Sequence, residues 1–384
     1  MICIDDKKKC SGCTACFSSC PVNAIEMLAD DEGFLYPKVN AGICIECHKC
    51  ERVCPIQNHT VSTRDLKVCF AAKNNIDEDR SISSSGGMFI AFAKKILADG
   101  GIVFGCELTE TFLAHHVCIS TVQQLPKLVG SKYMQSELGT IFKIVKDNLV
   151  AGKRILFCGT SCQIGGLKSF LGKDFNNLIC LDFICLGVPS PKIWNDYLHT
   201  FFDTKEIESI NFKDKSNGWH SFSLRVNKKV NNSFVKIGAK TYFFAGYFKG
   251  FYSRPCCSEC IYKYDENRIS DITISDCWGS EHIAPEMDDN KGLSSVVVHS
   301  EKGMALFTAV KDNLLYKQAN LDDVKLYNSG YCTPGAASEK RAKFWQYYQK
   351  KGAKRTFKKY CRPVSSSIFF RGLRKVKRII CKGM

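Results

Sequence analysis

The sequence predicts a small α+β domain followed by a mixed α/β body whose sheet is partly antiparallel. Residues 1–58 contain an internal repeat with an offset of 34 positions. From residue 67 onward, short apolar runs typical of strands alternate with longer stretches typical of helices, as in α/β proteins. Residues 207–240 hold three short strand-like runs in succession, which predict an antiparallel portion.

The repeat consists of two cysteine runs with the spacing C-x2-C-x2-C-x3-C, each followed directly by proline. This pattern is the signature of bacterial ferredoxins, which hold [4Fe–4S] clusters. Two structural zinc sites are the alternative, but zinc usually takes paired C-x2-C units, often with histidine. Residues 1–58 are therefore predicted to be a bacterial-ferredoxin-like α+β domain with two [4Fe–4S] clusters. The runs are Cys10, Cys13, Cys16, Cys20 and Cys44, Cys47, Cys50, Cys54.

The fourth cysteine of each run is expected to serve the cluster of the other run, as in two-cluster ferredoxins. Cys54 would then join the first three cysteines of the first run, and Cys20 those of the second. Between the runs, residues 24–28 and 34–37 flank an acidic segment that ends in Gly33. This pattern predicts a β-hairpin within the domain.

The body is predicted to follow a polar linker at residues 59–66. Residues 67–145 and 146–345 are interpreted as the first and second parts of one domain, and residues 346–384 as a basic tail. The predicted strands are 68–72, 102–105, 116–119, 154–158, 178–184, 207–212, 221–226, 234–237, 271–275 and 294–299, and the predicted helices are 86–97, 138–150, 162–170, 192–202, 242–251 and 304–313.

The composition favours a protein of a reducing compartment. The chain has 23 cysteines, yet its first residues show no apolar leader, so free thiols in a cytoplasm are expected rather than disulfides. No run of 18 apolar residues predicts a membrane span. The net charge is +16, but residues 351–384 alone contain 12 Lys or Arg and no acid, so the overall charge does not indicate nucleic-acid binding.

The end of the tail mixes apolar and basic side chains between residues 368 and 380. One interpretation is an amphipathic helix in peripheral contact with an anionic membrane or an acidic partner. The other is a solvated terminal helix that frays.

The body carries a second candidate cysteine group, made of Cys162, Cys185, Cys257 and Cys260. The first two fall at or just after the carboxyl ends of predicted strands, where ligands collect in open α/β sheets. A third [4Fe–4S] cluster is one interpretation. Buried structural thiols are the other, because free cysteine is often buried.

A flavin site is the second hypothesis for the body. Ser85, Gly86 and Gly87 precede a predicted helix, whose N-terminus would suit a phosphate. A simple serine cap with a glycine turn is the alternative. Clusters pass one electron at a time, whereas most organic substrates take two, and a flavin converts between the two modes.

Nearly all of residues 1–350 resembles the coenzyme F420 hydrogenase/dehydrogenase beta-subunit family, in its version with an N-terminal two-cluster ferredoxin domain. The resemblance implies FAD and a cluster on the third cysteine group. It also implies that Ser85, Gly86 and Gly87 hold flavin phosphate or ribityl groups. Lys132 would be the positive charge beside the reduced flavin ring. Without the resemblance, it would be interpreted as an ordinary surface lysine. The segments that carry the resemblance are 84–87, 131–136, 159–168, 182–194, 254–260 and 270–279, and the implied flavin-lining residues are Lys132, Tyr133, Gln135 and Ser136.

Three positions depart from the family pattern. Ser161 stands where proline is usual, and Leu186 where histidine is frequent, which removes a hydrogen-bonding group beside Cys185. Cys277 stands where an aromatic or apolar residue is usual. Its thiol is interpreted either as an inert part of the core or as an alternative cluster ligand.

The function predicted from these features is an iron–sulfur flavoprotein oxidoreductase that exchanges electrons with an organic substrate, either a deazaflavin or another small molecule. The alternative is an electron-transfer subunit without its own organic substrate. The expected partner is a ferredoxin or a larger oxidoreductase subunit, and the expected location is cytoplasmic or membrane-peripheral. No residue specifies the substrate.

Overall fold

The computed structural model describes residues 1–59, 66–230, 232–335 and 337–363. Most of the predicted linker and the amphipathic segment at 368–380 therefore lie outside the described residues. Among the described helices, none combines the length and the apolarity that crossing a bilayer requires.

The N-terminal domain is built around a two-stranded antiparallel hairpin, as predicted. Ile25 pairs with Val39 at its open end, and Ala29 pairs with Leu35 next to the turn. The turn is held by Asp30, whose carboxylate accepts hydrogen bonds from the backbone N–H groups of Glu32 and Phe34. The elements are α1 Ala15–Ser19, β1 Ile25–Ala29, β2 Leu35–Val39 and α2 Lys49–Arg52.

The body is organised by one large sheet of eight strands. These strands are β3 Val68–Asn74, β4 Ile102–Leu108, β5 Ala114–Ile119, β6 Ile155–Cys158, β7 Leu178–Phe183, β11 Ile272–Asp276, β12 Ser294–Val298 and β13 Leu314–Ala319. Their order across the sheet is β13-β3-β12-β11-β7-β6-β4-β5. The pairs β11–β7, β7–β6 and β6–β4 are parallel, and the remaining neighbours are antiparallel. The mixed α/β prediction is thereby confirmed.

Helices cover both faces of this sheet, because its strands are apolar on both sides. The helices of the body are α3 Asp77–Ile82, α4 Met88–Ala98, α5 Ile141–Val150, α6 Ser161–Leu171, α7 Pro191–Phe201, α8 Tyr242–Phe248, α9 Ser280–Ile283, α10 Glu301–Val310, α11 Leu321–Tyr327 and α12 Arg341–Tyr360. Leu156 packs into a core with α4 and α10, whereas its neighbours Ile155 and Phe157 pack into the opposite core with α5 and α6. Alternation along β6 thus supplies one core from each face.

A second, three-stranded antiparallel sheet forms in the region where short strands are predicted. Its strands are β8 Ile207–Asp214, β9 Ser223–Lys228 and β10 Phe234–Ile237, in the order β10-β9-β8. It shares an aromatic core with α7, α8 and α12, so the aromatic residues of α8 are packing residues. The helix predicted over 242–251 ends at Phe248, shortly before Gly250, which has φ +69°.

The N-terminal domain docks onto the body through polar and close-packed contacts. Arg341 pairs with both carboxylate oxygens of Glu32 in the hairpin turn. Ser190, the N-cap of α7, accepts a hydrogen bond from Ile193 and contacts the Glu32 carbonyl through its hydroxyl. The cysteine-bearing helix α1 packs against α6, so the two domains share a continuous core.

Candidate functional site

The first cavity of the N-terminal domain brings together Cys10, Cys13, Cys16 and Cys54, the set expected from the ferredoxin pattern. It contains about 340 Å³ of space not filled by protein atoms. All four cysteines are buried. The hydroxyl of Thr14, which also lines the cavity, is buried and has no protein hydrogen-bond partner.

The second cavity brings together the complementary set; about 350 Å³ of space around it, including its opening to solvent, is free of protein atoms. Backbone N–H groups already point at two of its sulfurs: Ile2 donates to Cys50 Sγ at 3.4 Å, and Ala24 donates to Cys20 Sγ at 3.2 Å. This cavity is nearer to solvent than the first, because Cys47 is exposed and Cys44 is half-buried. Its four cysteines are Cys20, Cys44, Cys47 and Cys50.

The donor sets of both cavities fit [4Fe–4S] clusters. The thiols surround a space instead of converging on one point, and no group of three His, Cys, Asp or Glu among the described residues is placed to hold a single metal ion. Burial raises the pKa of Cys13 to about 12. A thiol of this kind becomes a thiolate when it binds a cation such as cluster iron.

The third cysteine group forms at the carboxyl edge of the large sheet. Cys162 lies in the first turn of α6 and Cys185 two residues after β7, while Cys257 and Cys260 lie at a 3-10 helix, Pro255–Glu259. Burial, followed by the proximity of Cys260, raises the pKa of Cys162 well above its ordinary value. The structure therefore assembles four thiols that are far apart in sequence.

Cys256 is a fifth thiol at this group, which the sequence patterns did not single out. Its thiol donates a hydrogen bond to Cys257, and this bond, acting against burial, lowers the pKa of Cys257 to about 7. Cys257 is thus the member of the pair that is ready to be a thiolate ligand. The signal in the sequence was the Cys-Cys doublet itself.

Tyr262 lies between the first cavity and the third group. Burial raises the pKa of this phenol well above its ordinary value, and the next contributions come from thiols of both groups. The hydroxyl is buried without a protein partner. Room for this contact comes from two glycines of α6: a Cβ on Gly165 would collide with Tyr262, and one on Gly166 would lie 2.6 Å from Cys13 Cβ. The neighbouring thiols are Cys13, Cys54, Cys162 and Cys260.

Arg254 is a second connection between the same two groups. Its guanidinium is almost fully buried and donates to the Cys10 carbonyl at 2.9 Å and to the Leu35 carbonyl at 2.9 Å. It also contacts Cys10 Sγ at 3.6 Å and donates to Gln135 Oε1 at 2.7 Å. The residue immediately precedes the cysteine loop of the third group.

The predicted phosphate-binding segment lies at the same sheet edge, between β3 and α4. Gly87 has φ +88° and precedes α4, whose first turn has no side-chain cap. Gly86 is pressed against the backbone, since a Cβ there would lie 2.6 Å from the Ala72 carbonyl oxygen. Ser85 Oγ donates to the Leu293 carbonyl at 2.9 Å, so this hydroxyl supports the loop.

The four predicted flavin-lining residues point in different directions. The Lys132 ammonium donates to carbonyls at the end of a 3-10 helix, at 2.9 Å for Val129, and burial lowers its pKa. Tyr133 packs edge-on against Phe244 in the aromatic core. Ser136 bonds to a histidine, and Gln135 faces the N-terminal domain, where it donates to the Ser11 carbonyl at 3.1 Å.

Comparison with protein families decides the relationship. Residues 152–324 match the family model for the C terminus of the "Coenzyme F420 hydrogenase/dehydrogenase, beta subunit", and residues 9–58 match the family "4Fe-4S dicluster domain". The part of the body at residues 152–324 is similar to the C terminus of coenzyme F420 hydrogenase/dehydrogenase beta subunits. The chain carries a dicluster domain at its N-terminus, and its role is redox electron transfer by an oxidoreductase.

Among curated proteins, none matches the chain. Among solved structures it is similar to a chain of the F420-reducing [NiFe] hydrogenase complex from Methanosarcina barkeri, studied by xenon derivatisation. The identity is 17% and the TM-score 0.46, with 77% of this chain and 90% of that chain covered.

The three departures from the family pattern have different surroundings. Ser161 Oγ donates to the buried Asp182 at 2.6 Å, an interaction that proline would not make. Leu186 is 47% exposed beside the third cysteine group. Cys277 is fully buried in a core with Trp219, and burial raises its pKa to about 11, as expected of a packing thiol.

Proposed function

We propose that this protein is an iron–sulfur flavoprotein oxidoreductase with three [4Fe–4S] clusters and FAD. One observation carries the proposal: Tyr262 lies among thiols of both the first cavity and the third cysteine group. The three cysteine groups are therefore arranged in series from the more exposed second cavity to the carboxyl edge of the sheet. That edge is where α/β proteins bind their ligands.

The third group has the contacts that a cluster site requires. The Gly187 N–H donates to Cys185 Sγ at 3.3 Å, and the Thr160 hydroxyl lies 3.1 Å from Cys162 Sγ. The ammonium of Lys263 is bound to the Cys185 carbonyl and adds positive charge beside the thiols. Hydrogen bonds and nearby charge are the means by which proteins set cluster potentials.

The flavin would be held by the segment Ser85, Gly86 and Gly87, where the uncapped first turn of α4 offers N–H groups to a phosphate. A bound flavin couples one-electron carriers to an organic substrate that takes two. Lys132 would supply a fixed positive charge, because carbonyl groups hold its ammonium in place. Tyr133, Gln135 and Ser136 complete the proposed flavin-lining set, with Gln135 reaching furthest toward the N-terminal domain.

The proposed substrate is a small organic molecule, with a deazaflavin such as coenzyme F420 as the candidate that the family description suggests. The proposed partner is a redox protein, either a ferredoxin or a larger oxidoreductase subunit. It would meet the chain near Cys47, the exposed cysteine of the second cavity.

The test is the iron and flavin content of anaerobically purified protein. Three clusters with four irons each predict about 12 irons per chain, together with one flavin. Cys257→Ser should reduce the content to about eight irons, whereas the matched control Cys256→Ser should keep about 12. About eight irons without flavin in the unmodified protein would instead support an electron-transfer subunit that has no organic substrate.

Peripheral membrane contact by the basic tail stays a prediction, since residues 364–384 lie outside the described part of the chain. Removing these residues and measuring binding to anionic vesicles tests it. Unchanged binding would contradict the prediction.

A further inference from the structure

We infer that Arg254 raises the reduction potential of the cluster in the first cavity relative to that in the second, so that the first becomes the electron acceptor of the pair. The inference rests on the dicluster part of the proposed function. One electron would leave the second cluster, which is oxidised, and enter the first, which is reduced, without any change in bonds or protons.

Arg254 is a buried cation without a conventional counter-ion. Its acceptors in the described part of the chain are two backbone carbonyls, the amide oxygen of Gln135 and the sulfur of Cys10, and none of these is a carboxylate. Its side chain is also stacked over the ring of Tyr36, with 4.3 Å between the guanidinium carbon and the ring centroid. Burying an unpaired charge is costly, so a negative partner is expected beside it.

The negative partner is the first cysteine set. The guanidinium lies 3.6 Å from Cys10 Sγ and donates to the Cys10 carbonyl at 2.9 Å, so a thiol of this set is in direct contact with the charge. A cluster with four thiolate ligands carries negative charge and becomes more negative when it is reduced. A fixed positive charge at Cys10 Sγ therefore stabilises the reduced state more than the oxidised state.

The second cavity lacks a comparable charge among the residues that the structure describes. Its neighbouring cations are the N-terminal ammonium of the exposed Met1, which is paired with Glu51 at 3.1 Å, and the exposed Lys49. Charges in contact with solvent are largely screened, whereas a buried charge is screened much less. Burial of the first cysteine set disfavours the additional negative charge of a reduced cluster. Arg254, which belongs to the body, offsets this effect with its positive charge.

The experiment is a redox titration followed by electron paramagnetic resonance on the full-length, cluster-loaded protein. Arg254→Gln should shift one dicluster signal to lower potential, changing the equilibrium for electron sharing at least tenfold, or about 59 mV. The signal is assigned by comparison with Cys47→Ser, which perturbs the other cluster. Lys49→Gln serves as the control for loss of an exposed charge and should shift neither signal by that amount.

A second pair of variants separates charge from structure. Gln135→Glu places a carboxylate against the guanidinium and leaves Arg254 in position, so it should lower the same potential. Gln135→Met removes the hydrogen bond without adding charge and should have a much smaller effect. If Arg254→Gln loses the first cluster, the two Gln135 variants still show whether charge at the guanidinium sets the reduction potential of that cluster.

The inference is overturned if both potentials stay unchanged in Arg254→Gln and Gln135→Glu, or if the two Gln135 variants shift equally. It is also overturned if both Gln135 variants lose the first cluster, since the contact would then be structural. Absence of flavin or of the third cluster would refute the proposed enzyme function only, because these titrations concern the dicluster domain.

Discussion

His116 should make the protein sensitive to mild acid. This residue of β5 is buried, its Nε2 donates to the Cys158 carbonyl at 3.1 Å, and its Nδ1 lies 2.9 Å from Ser136 Oγ. Gln163 in turn donates to the same hydroxyl at 2.9 Å, which fixes the network. Burial lowers the pKa of His116 from 6.5 to about 4. The ring is therefore neutral in the folded protein at neutral pH.

The sign of the effect follows from proton linkage. As the pH falls below 6.5 the unfolded chain takes up a proton at His116, while the folded chain does so only near its lowered pKa of about 4. Stability contributed by the neutral ring is present above pH 6.5 and is lost as the pH falls toward 4. With these two values the free energy of unfolding decreases by about 2 kcal/mol between pH 7.5 and pH 5.

The assay compares unfolding by guanidinium at pH 7.5 and pH 5 under anaerobic conditions, followed by tryptophan fluorescence. His116→Gln should be less stable than the parent at pH 7.5, because a glutamine amide cannot reach the Cys158 carbonyl and the Ser136 hydroxyl in the same geometry as the imidazole ring. At pH 5 this gap should change by about 2 kcal/mol in favour of the variant. His115→Gln, on the same strand, is the matched control: it leaves the buried His116 in place, so the parent's loss of stability toward pH 5 should keep its sign. Parallel loss of stability in the parent and His116→Gln would refute the argument.

Two further predictions concern the contact between the domains. Gly166→Ala should weaken the first cluster site, because its Cβ would lie 2.8 Å from Cys13 Sγ; overpacking of about 1–3 kcal/mol outweighs a helix-propensity gain of about 1 kcal/mol. Iron content and the unfolding midpoint measure this, and a more stable, fully loaded variant would contradict it. Glu32→Ala should lower the free energy of unfolding by about 1–3 kcal/mol, because it leaves the half-buried Arg341 without its carboxylate. Asp31→Ala, which changes an exposed neighbouring acid, is the control, and equal effects of the two variants would count against the reasoning.

The sequence was most informative where spacing along the chain determines geometry. The exchange of Cys20 and Cys54 between the two cavities follows from a local motif, and the structure shows the same grouping. Cys162 and Cys185 could be placed at one sheet edge because the carboxyl ends of parallel strands meet there. The flavin-lining residues stay predictions.

Features that depend on contacts between distant segments could not be predicted from sequence. Arg254 begins one of the segments that carry the family resemblance, but the role inferred for it depends on Cys10, which lies 244 positions away. Strand β13 was missed because it is an edge strand whose residues are mostly exposed, so it has no alternating pattern. The boundary predicted at residue 346 falls inside α12, a helical segment with a kink at Gly352, where φ is +73°. Phe344 and Phe357, on either side of this kink, both pack into the aromatic core.

The crossing of the two cysteine runs also dictates an order of biosynthesis. The first cavity needs Cys54 and the second needs Cys20, so neither metal-binding pocket is complete until the nascent chain has extended past residue 54. Even then the first pocket lacks the guanidinium that contacts Cys10, because Arg254 is translated about 200 residues later. The surroundings of the first pocket are therefore complete only after most of the polypeptide has been made, because the body supplies a side chain that contacts a cysteine of the N-terminal domain.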